Sequence, residues 1–189
     1  MTAEGFEDQV VIVTGATSGI GRVTSELFLQ EGAVVVAVDI DEPGLSQLAA
    51  REDIPDHRLL TIVCDVADAN QVERMVQEVV TRYGTIDVLL NNAGTEETDS
   101  VVKTTEAMWD RQMTVNVKSV FLCAKYVIPH MQKRVGSHCQ YRLDRGDRGR
   151  AEWRSVCGVK RGGGDAYKRN GTVLCSQWDS SQLRASWMD

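Results

Sequence analysis

The sequence predicts an α/β fold, namely a doubly wound, Rossmann-like parallel sheet whose C-terminal strands are missing or scrambled. Short β-branched runs alternate with amphipathic stretches over the first 135 residues. Strands that are apolar on both faces are typical of a parallel sheet covered by helices. Polar or glycine-rich residues follow each run, at the sheet edge where such folds place their sites. Near Val135 the composition changes, so this fold should not extend through the whole chain.

The change of composition separates two segments. Residues 1–135 carry a net charge of −10, and residues 136–189 carry one of +4. The second segment has no Ile or Phe, and its few Val and Leu follow neither a strand nor a helix period. Such a composition buries too little apolar surface to offset the entropy of ordering the chain. We therefore predict an incomplete α/β domain over residues 1–135 and a disordered tail over residues 136–189.

Each predicted element follows from its local pattern. A short, wholly apolar run such as Val10-Val11-Ile12-Val13 indicates a buried strand, and glycines such as Gly32 and Gly84 indicate helix ends. Asp68 or Asn70 can cap the third helix, and Thr105 can cap the fourth. The predicted strands are 10–13, 33–38, 59–63 and 86–90, and the predicted helices are 19–31, 44–51, 68–83 and 105–133.

A glycine-rich turn joins the first predicted strand to the first predicted helix. Its glycines would let the backbone approach a pyrophosphate, and the helix N-terminus supplies N–H groups and positive potential. Glycines also make ordinary tight turns, but the strand–turn–helix order is the context that a nucleotide-binding turn requires. The candidate cofactor-binding residues of this turn are Gly15, Thr17, Ser18, Gly19, Ile20 and Gly21.

Asp39 ends the second predicted strand. A carboxylate there can accept hydrogen bonds from an adenosine ribose and repel a 2′-phosphate. The alternative role is a helix cap, which Asp41 would serve equally well. Because the turn around Ser18 contains no Lys or Arg to neutralise an additional phosphate, the sequence favours NAD over NADP as the cofactor.

Polar groups also follow the third and fourth predicted strands. Asp65 is either a surface acid or an acceptor for the adenine amino group, with Val66 packing on the ring. The Asn-Asn-Ala-Gly stretch at 91–94 is either a plain turn or part of the same site. Asn116 lies in mid-helix, where Asn has poor propensity, so it is either solvated or aimed into the cleft. The candidate residues of the 91–94 stretch are Asn92, Ala93 and Gly94.

Taken together, these residues resemble the short-chain dehydrogenase/reductase family over about residues 8–134. The matching pieces are the Thr-Gly-x-x-x-Gly-x-Gly turn at 14–21, Asp39, Asp65-Val66, Asn91-Asn92-Ala93-Gly94 and Asn116. The resemblance implies hydride transfer between NAD(H) and a secondary alcohol or ketone, such as a 3-oxoacyl, sugar, steroid or cyclic alcohol compound. It also implies a homo-oligomeric parent enzyme. In the family's catalytic tetrad of Asn, Ser, Tyr and Lys, Asn116 would be the Asn that holds a water in a proton relay.

The tail departs from the family's pattern, because no Tyr-x-x-x-Lys stands in it. Tyr126, Tyr141 and Tyr167 have no Lys four residues later. One interpretation is a genuine basic extension that loosely resembles arginine- and glycine-rich RNA-binding segments. The alternative is a one-nucleotide frameshift near codon 135, which would leave this chain inactive and unable to assemble normally.

The genetic code supports the frameshift interpretation. When each tail codon is read from its second base, residues 138–141 permit Ile-Val-Asn-Thr and residues 155–160 permit Pro-Tyr-Ala-Ala-Ser-Lys. The catalytic Ser, Tyr and Lys then fall at the positions of Leu143, Val156 and Lys160, in the family's usual order and spacing. A tail that had evolved as protein would have no reason to show this ordered run.

Several other classes are disfavoured. The overall net charge of −6 argues against nucleic acid as a partner, and no apolar run approaches the roughly 18 residues needed to span a bilayer. The first nine residues contain acids and no base, unlike a targeting peptide. The five cysteines form no Cys-x-x-Cys pair and the three histidines no cluster, so we expect no metal and a cytoplasmic location with reduced thiols. A non-catalytic nucleotide-binding or scaffold protein is the alternative to an oxidoreductase.

Overall fold

The structure is a computed structural model that describes residues 6–96, 100–131, 137–145, 151–159, 168–169 and 172–173. Strands and helices alternate through residue 131. The elements before that point are β1 (Val10–Thr14), α1 (Gly19–Gln30), β2 (Val34–Asp39), α2 (Glu42–Ala49), β3 (Leu59–Val63), α3 (Ala69–Tyr83), β4 (Val88–Asn91), α4 (Glu106–Met113) and α5 (Ser119–Met131). Four strands follow, namely β5 (Ser137–Arg145), β6 (Ala151–Val159), β7 (Lys168–Arg169) and β8 (Thr172–Val173).

The main sheet has six strands in the order β3-β2-β1-β4-β6-β5. The first four are parallel: β1 pairs with β2 on one side and with β4 on the other, and β2 pairs with β3. The chain therefore runs outward from β1 to β3 and then crosses to β4 on the far side, which is the reversal of strand order that defines a doubly wound sheet. The predicted fold class is confirmed.

Two apolar clusters cover the two faces of the parallel strands. One contains Ile12, Val36 and Leu89 from the strands together with side chains of α3 and α5. The other contains Val11 and Val13 from β1 together with side chains of α1 and α2. All five residues of β1 are buried, as expected for the central strand of a sheet that is covered on both sides.

The long helix predicted over residues 105–133 is interrupted in the structure. A π-helical turn, Thr114–Lys118, separates α4 from α5. The N–H of Ser119 donates to the carbonyl of Thr114, and the Ser119 hydroxyl donates to the carbonyl of Val115. Such single π turns inside α-helices are frequent at functional sites, and this one carries Asn116.

Two segments of the tail, β5 and β6, extend the main sheet, and the disorder expected for residues 136–189 stays a prediction. β6 pairs antiparallel with β4, with Leu89 opposite Cys157, and β5 pairs antiparallel with β6. The outer edge of β4 is therefore paired. The physical reason is that an edge strand offers backbone N–H and C=O groups to any extended segment, whatever its side chains. The boundary near residue 135 and the out-of-frame origin of the tail stay predictions.

Candidate cofactor crevice

The candidate site lies at the carboxyl ends of β1 and β4, where the strand order reverses. Ligands of open α/β sheets bind in this crevice. The structure brings the glycine-rich turn after β1, Asp39 at the end of β2, and the segment after β4 to this edge. Three sequence-predicted groups that are far apart in the chain therefore meet in one place.

Two glycines of the turn are required by close packing inside the protein. Gly15 has a φ of +67°, and a Cβ there would lie 2.9 Å from the Cα of Ala93. A Cβ on Gly21 would overlap the carbonyl oxygen of Gly15 and the side-chain amide of Asn92. These glycines let α1 and the segment after β4 approach the end of β1 directly.

Gly19, by contrast, faces open space. Its φ is +51°, and a Cβ built on it would meet no atom within 4 Å. It is the first residue of α1, whose N-cap residue Ser18 makes no side-chain capping bond and whose first turn contains no acidic residue. The first N–H groups of a helix have no partner within it, so this end of α1 can receive an anionic group such as a diphosphate.

Thr14 joins the ends of β1 and β4, a role that the sequence analysis did not assign. Its hydroxyl oxygen accepts from the backbone N–H groups of Asn92 and Ala93, both at 3.0 Å. The side-chain amide of Asn92 donates to the carbonyls of Thr14 and Gly15, at 3.1 and 3.2 Å. The sequence feature that could have indicated this role is a threonine at the end of a strand, directly before a glycine-rich turn. The hydrogen bonds explain why a residue with a hydroxyl occupies this position.

Asp39 lies beside the glycine-rich turn rather than only at the start of α2. Its Oδ2 accepts from the N–H and the hydroxyl of Thr17, at 3.0 and 2.7 Å. Its Oδ1 accepts from the N–H groups of Ile40 and Asp41, at 2.8 and 3.2 Å. Asp41 is the N-cap residue of α2, and its side chain makes no capping bond. Asp39 therefore links the glycine-rich turn after β1 to the start of α2.

At the end of β3, the two predicted residues, Asp65 and Val66, differ in exposure. Asp65 is exposed, and its Oδ1 accepts from the N–H of Ala67 at 2.9 Å. The side chain of Val66 is only 6% exposed and belongs to a core cluster that includes side chains of α3. The exposed apolar side chains at these strand ends are Ile40 and Val63, at 70% and 53%, which the sequence analysis did not single out.

The side chain of Asn116 braces the segment after β4. Its Oδ1 accepts from the N–H of Thr95 and its Nδ2 donates to the carbonyl of Thr95, both at 2.8 Å. A Cβ on Gly94 would lie 3.2 Å from Asn116 Oδ1, so the glycine permits this contact. The amide is thus a two-point clamp on the backbone, instead of a group that projects freely into the cleft.

The remaining tetrad positions of the shifted reading frame lie in the tail. Leu143 is on β5 and Val156 is on β6, whereas Lys160 lies outside the described residues. Among the residues that the structure describes, no group of three or more His, Cys, Asp or Glu side chains could hold a metal ion. No helix within the same residues is long and apolar enough to cross a membrane.

Two free thiols, those of Cys64 and Cys123, are buried in the core cluster that contains α3 and α5. Burial, followed by the charges of Asp65 and Asp68, raises the pKa of Cys64 to about 11. Burial, followed by the neighbouring Cys64, raises the pKa of Cys123 to about 12. Because the thiolate is the nucleophilic form of cysteine, the raised pKa values disfavour either side chain as a nucleophile at neutral pH.

Comparison with known proteins covers the first two thirds of the chain. The family model for short chain dehydrogenase matches residues 9–138. The 3-oxoacyl-[acyl-carrier-protein] reductase FabG of Thermotoga maritima is 41% identical over 129 residues, which are 68% of this chain and 52% of the relative. Meso-2,3-butanediol dehydrogenase of Serratia marcescens is 38% identical over 131 residues, which are 69% of this chain and 51% of the relative.

A solved structure agrees with these matches. The 3-ketoacyl-(acyl-carrier-protein) reductase of Brucella melitensis complexed with NADH has a TM-score of 0.63 and 31% identity, over 68% of this chain and 52% of that one. The chain spans about half the length of the relatives it matches. The family match ends at residue 138, close to the composition change at Val135. Fold, motif order and sequence similarity agree that the chain belongs to the short-chain dehydrogenase family.

Proposed function

We propose that residues 9–131 are the cofactor-binding half of an NAD-dependent dehydrogenase that acts on a small secondary alcohol or ketone, and that the chain as translated has no turnover. The observation that carries the proposal is the pairing of an open helix N-terminus at Gly19 with the carboxylate of Asp39, which Thr17 holds beside the same turn. The two groups suit the diphosphate and the adenosine ribose of one dinucleotide.

The choice of NAD over NADP is supported by charge. The carboxylate of Asp39 would stand near a 2′-phosphate and repel it. The glycine-rich turn contains no Lys or Arg, and neither Ile40 nor Asp41, which follow Asp39, is basic. The NADH in the Brucella melitensis reductase is consistent with this preference.

The chain's own residues would bind and orient the cofactor. NAD(H) would supply or accept the hydride, which no amino-acid side chain can do. Asn116, through its clamp on Thr95, would keep the segment after β4 in place. By the resemblance, a Tyr moves the proton and a nearby Lys lowers the pKa of that Tyr. These two residues stand at the positions of Val156 and Lys160 in the shifted reading frame.

The decisive test measures cofactor choice in the full chain. We expect NADH to bind at least about tenfold more tightly than NADPH. Asp39→Ala combined with Ile40→Arg should narrow or reverse that preference, because Ile40 is 70% exposed and an arginine there can reach a 2′-phosphate. Asp41→Ala is the matched control, since it removes a neighbouring carboxylate whose side chain makes no capping bond. A chain that prefers NADPH before mutation would refute the role of Asp39.

A second candidate function is a nucleotide-binding or scaffold protein without catalysis. One observation favours it, since no Tyr of the tail is followed by Lys at the fourth position. Sequencing the gene around codon 135 separates the two candidates. A verified coding sequence for the tail as written favours the scaffold, whereas a single missing or added nucleotide favours the enzyme. We also propose a cytoplasmic location, from the cysteine pattern and the acidic first nine residues, and, from the family, a homo-oligomeric parent enzyme.

A further inference from the structure

The carboxylate of Asp39 has no acceptor position to spare. Oδ2 receives two hydrogen bonds from Thr17, and Oδ1 receives two from the backbone that follows Asp39. A carboxylate offers about four lone-pair sites. In the protein without cofactor, these sites are all taken by donors of the protein itself.

The hydroxyls of an adenosine ribose therefore have to replace one of the four donors. Three of the donors are backbone N–H groups, those of Thr17, Ile40 and Asp41, and moving them would deform the turn after β1 or the start of α2. The fourth is the Thr17 hydroxyl, at 2.7 Å from Oδ2. This bond can be released by rotation of the O–H about the Cβ–Oγ1 bond, because a hydroxyl hydrogen turns freely to suit its partners.

The carbon atoms of the Thr17 side chain lie close to the backbone of α2, and turning the O–H does not require them to move. A Cβ built on Gly44 would lie 2.8 Å from Thr17 Cβ and 2.9 Å from Thr17 Cγ2. The Thr17 side chain thus stands directly against the backbone of α2. Glycine inside a helix costs about 1 kcal/mol relative to alanine, and here its absent side chain makes room for Thr17.

We propose that the Thr17 hydroxyl is a stand-in for an adenosine ribose hydroxyl, and that it has to turn away from Asp39 before the cofactor is bound. Thr17 is then a positioning residue that keeps Asp39 aligned in the free protein and lowers the affinity for the cofactor by the bond that must be broken. This inference rests on the proposed NAD site and adds a residue that tunes its affinity.

The test uses ADP-ribose as the ligand, with the dissociation constant measured by calorimetry on the full 189-residue chain. Thr17→Ala removes the hydroxyl and keeps the backbone N–H, so it should tighten ADP-ribose binding about five- to tenfold. The same variant should lower the thermal midpoint of the free protein by about 2–4 °C, because the bond to Asp39 is lost. Thr17→Ser keeps the hydroxyl and should restore both values to those of Thr17.

Thr17→Ala should tighten ADP-ribose binding and lower the thermal midpoint. Loss of a merely structural residue would instead weaken binding and stability together. Binding of ADP-ribose that Thr17→Ala leaves unchanged or weakens would overturn the inference while the cofactor site stands. Absence of ADP-ribose binding in all three chains would instead refute the proposed cofactor site, and this inference with it. Tighter binding by Thr17→Ala alone, with Thr17→Ser unchanged, is the supporting result.

Discussion

The parallel strands β1–β4 and the antiparallel strands β5 and β6 belong to one sheet but differ in how their sequences specify it. β1 consists of five buried residues with helices packed over both of its faces. β5 and β6 follow the composition change, and nearly all of their residues lie beyond residue 138, where the family match ends. The first region is fixed by side chains that suit a covered parallel sheet, whereas the second adds to an edge through backbone pairing.

The frameshift hypothesis explains this difference. In the shifted reading, residues 138–141 permit a β-branched strand that would suit the parallel sheet, and a Tyr-x-x-x-Lys would follow it. In the translated reading, the same positions are His-Cys-Gln-Tyr, and the strand they belong to pairs antiparallel with β6. On this hypothesis, the first region was selected for its fold, whereas the pairing of β5 and β6 depends on the backbone.

The largest expected effect concerns turnover. We expect the 189-residue chain to have no measurable dehydrogenase activity, because the proton-transferring Tyr and its Lys are absent from its sequence. A protein made with the frame corrected near codon 135 should oxidise or reduce a secondary alcohol or ketone. General acid–base catalysis alone accounts for about 10²- to 10⁴-fold in rate. Initial rates with NAD(H) over a panel of substrates measure the difference. Clear activity of the 189-residue chain would contradict the prediction that its tail lacks the catalytic residues.

Thiol labelling gives the next largest contrast. Cys64 and Cys123 are 1% and 0% exposed, and burial raises the pKa of both thiols. At pH 8 we expect them to react with a thiol reagent at least about a thousandfold more slowly in the native chain than in urea, because reaction requires unfolding. The cysteines after residue 136 lie in the segment whose composition predicts no core, so they should react close to the rate of a free thiol.

Single substitutions assign the reacting thiols. Cys64→Ser and Cys123→Ser should each remove one slow phase and leave the fast phase unchanged. Fast labelling of either buried thiol in the native chain would show that the first region opens readily. Equal protection of all five thiols would show that both regions form one core, which would contradict the prediction that the tail has none.

Replacing one leucine by alanine in each region compares how much the two regions contribute to the free energy of unfolding. Leu89 is fully buried in β4, so Leu89→Ala should lower the free energy of unfolding by about 2–5 kcal/mol. Leu143→Ala makes the same chemical change in β5, and we expect a cost below about 0.5 kcal/mol, as for a residue outside the core. Urea unfolding followed by circular dichroism measures both. A cost at Leu143 equal to that at Leu89 would make the tail part of the folding unit.

The sequence was sufficient for the first region because local patterns there agree with the fold. The short apolar runs of β1, β2 and β3 and the helical apolar stripe of α3 are each visible within one local stretch of sequence. What the sequence could not predict depends on residues far apart in the chain. The clamp of Asn116 on Thr95 and the network of Thr14 with Asn92 are contacts of this kind. The burial of Val66 likewise depends on α3, which packs over it only in the folded protein.

The smallest expected effect is that of removing the second region. A chain ending at Arg134 keeps every residue placed at the cofactor crevice, and it loses the strand that pairs with the outer edge of β4. The hydrogen bonds that hold the crevice join residues between 14 and 116 to one another, so we expect the affinity for NADH to stay within about twofold of the full chain. Solubility should fall, because the backbone groups of β4 become available to other chains.

Two measurements on the shortened chain can contradict this expectation. The first is NADH titration followed by fluorescence, in which a loss of more than about tenfold in affinity would mean that β6 supports the crevice through β4. The second is limited trypsin digestion of the full chain, which should cut first between Arg142 and Arg161 and leave a fragment that ends near Arg134. Resistance of these arginines equal to that of the first region would show that pairing with β4 is enough to make the tail part of the structure, although its composition offers no core.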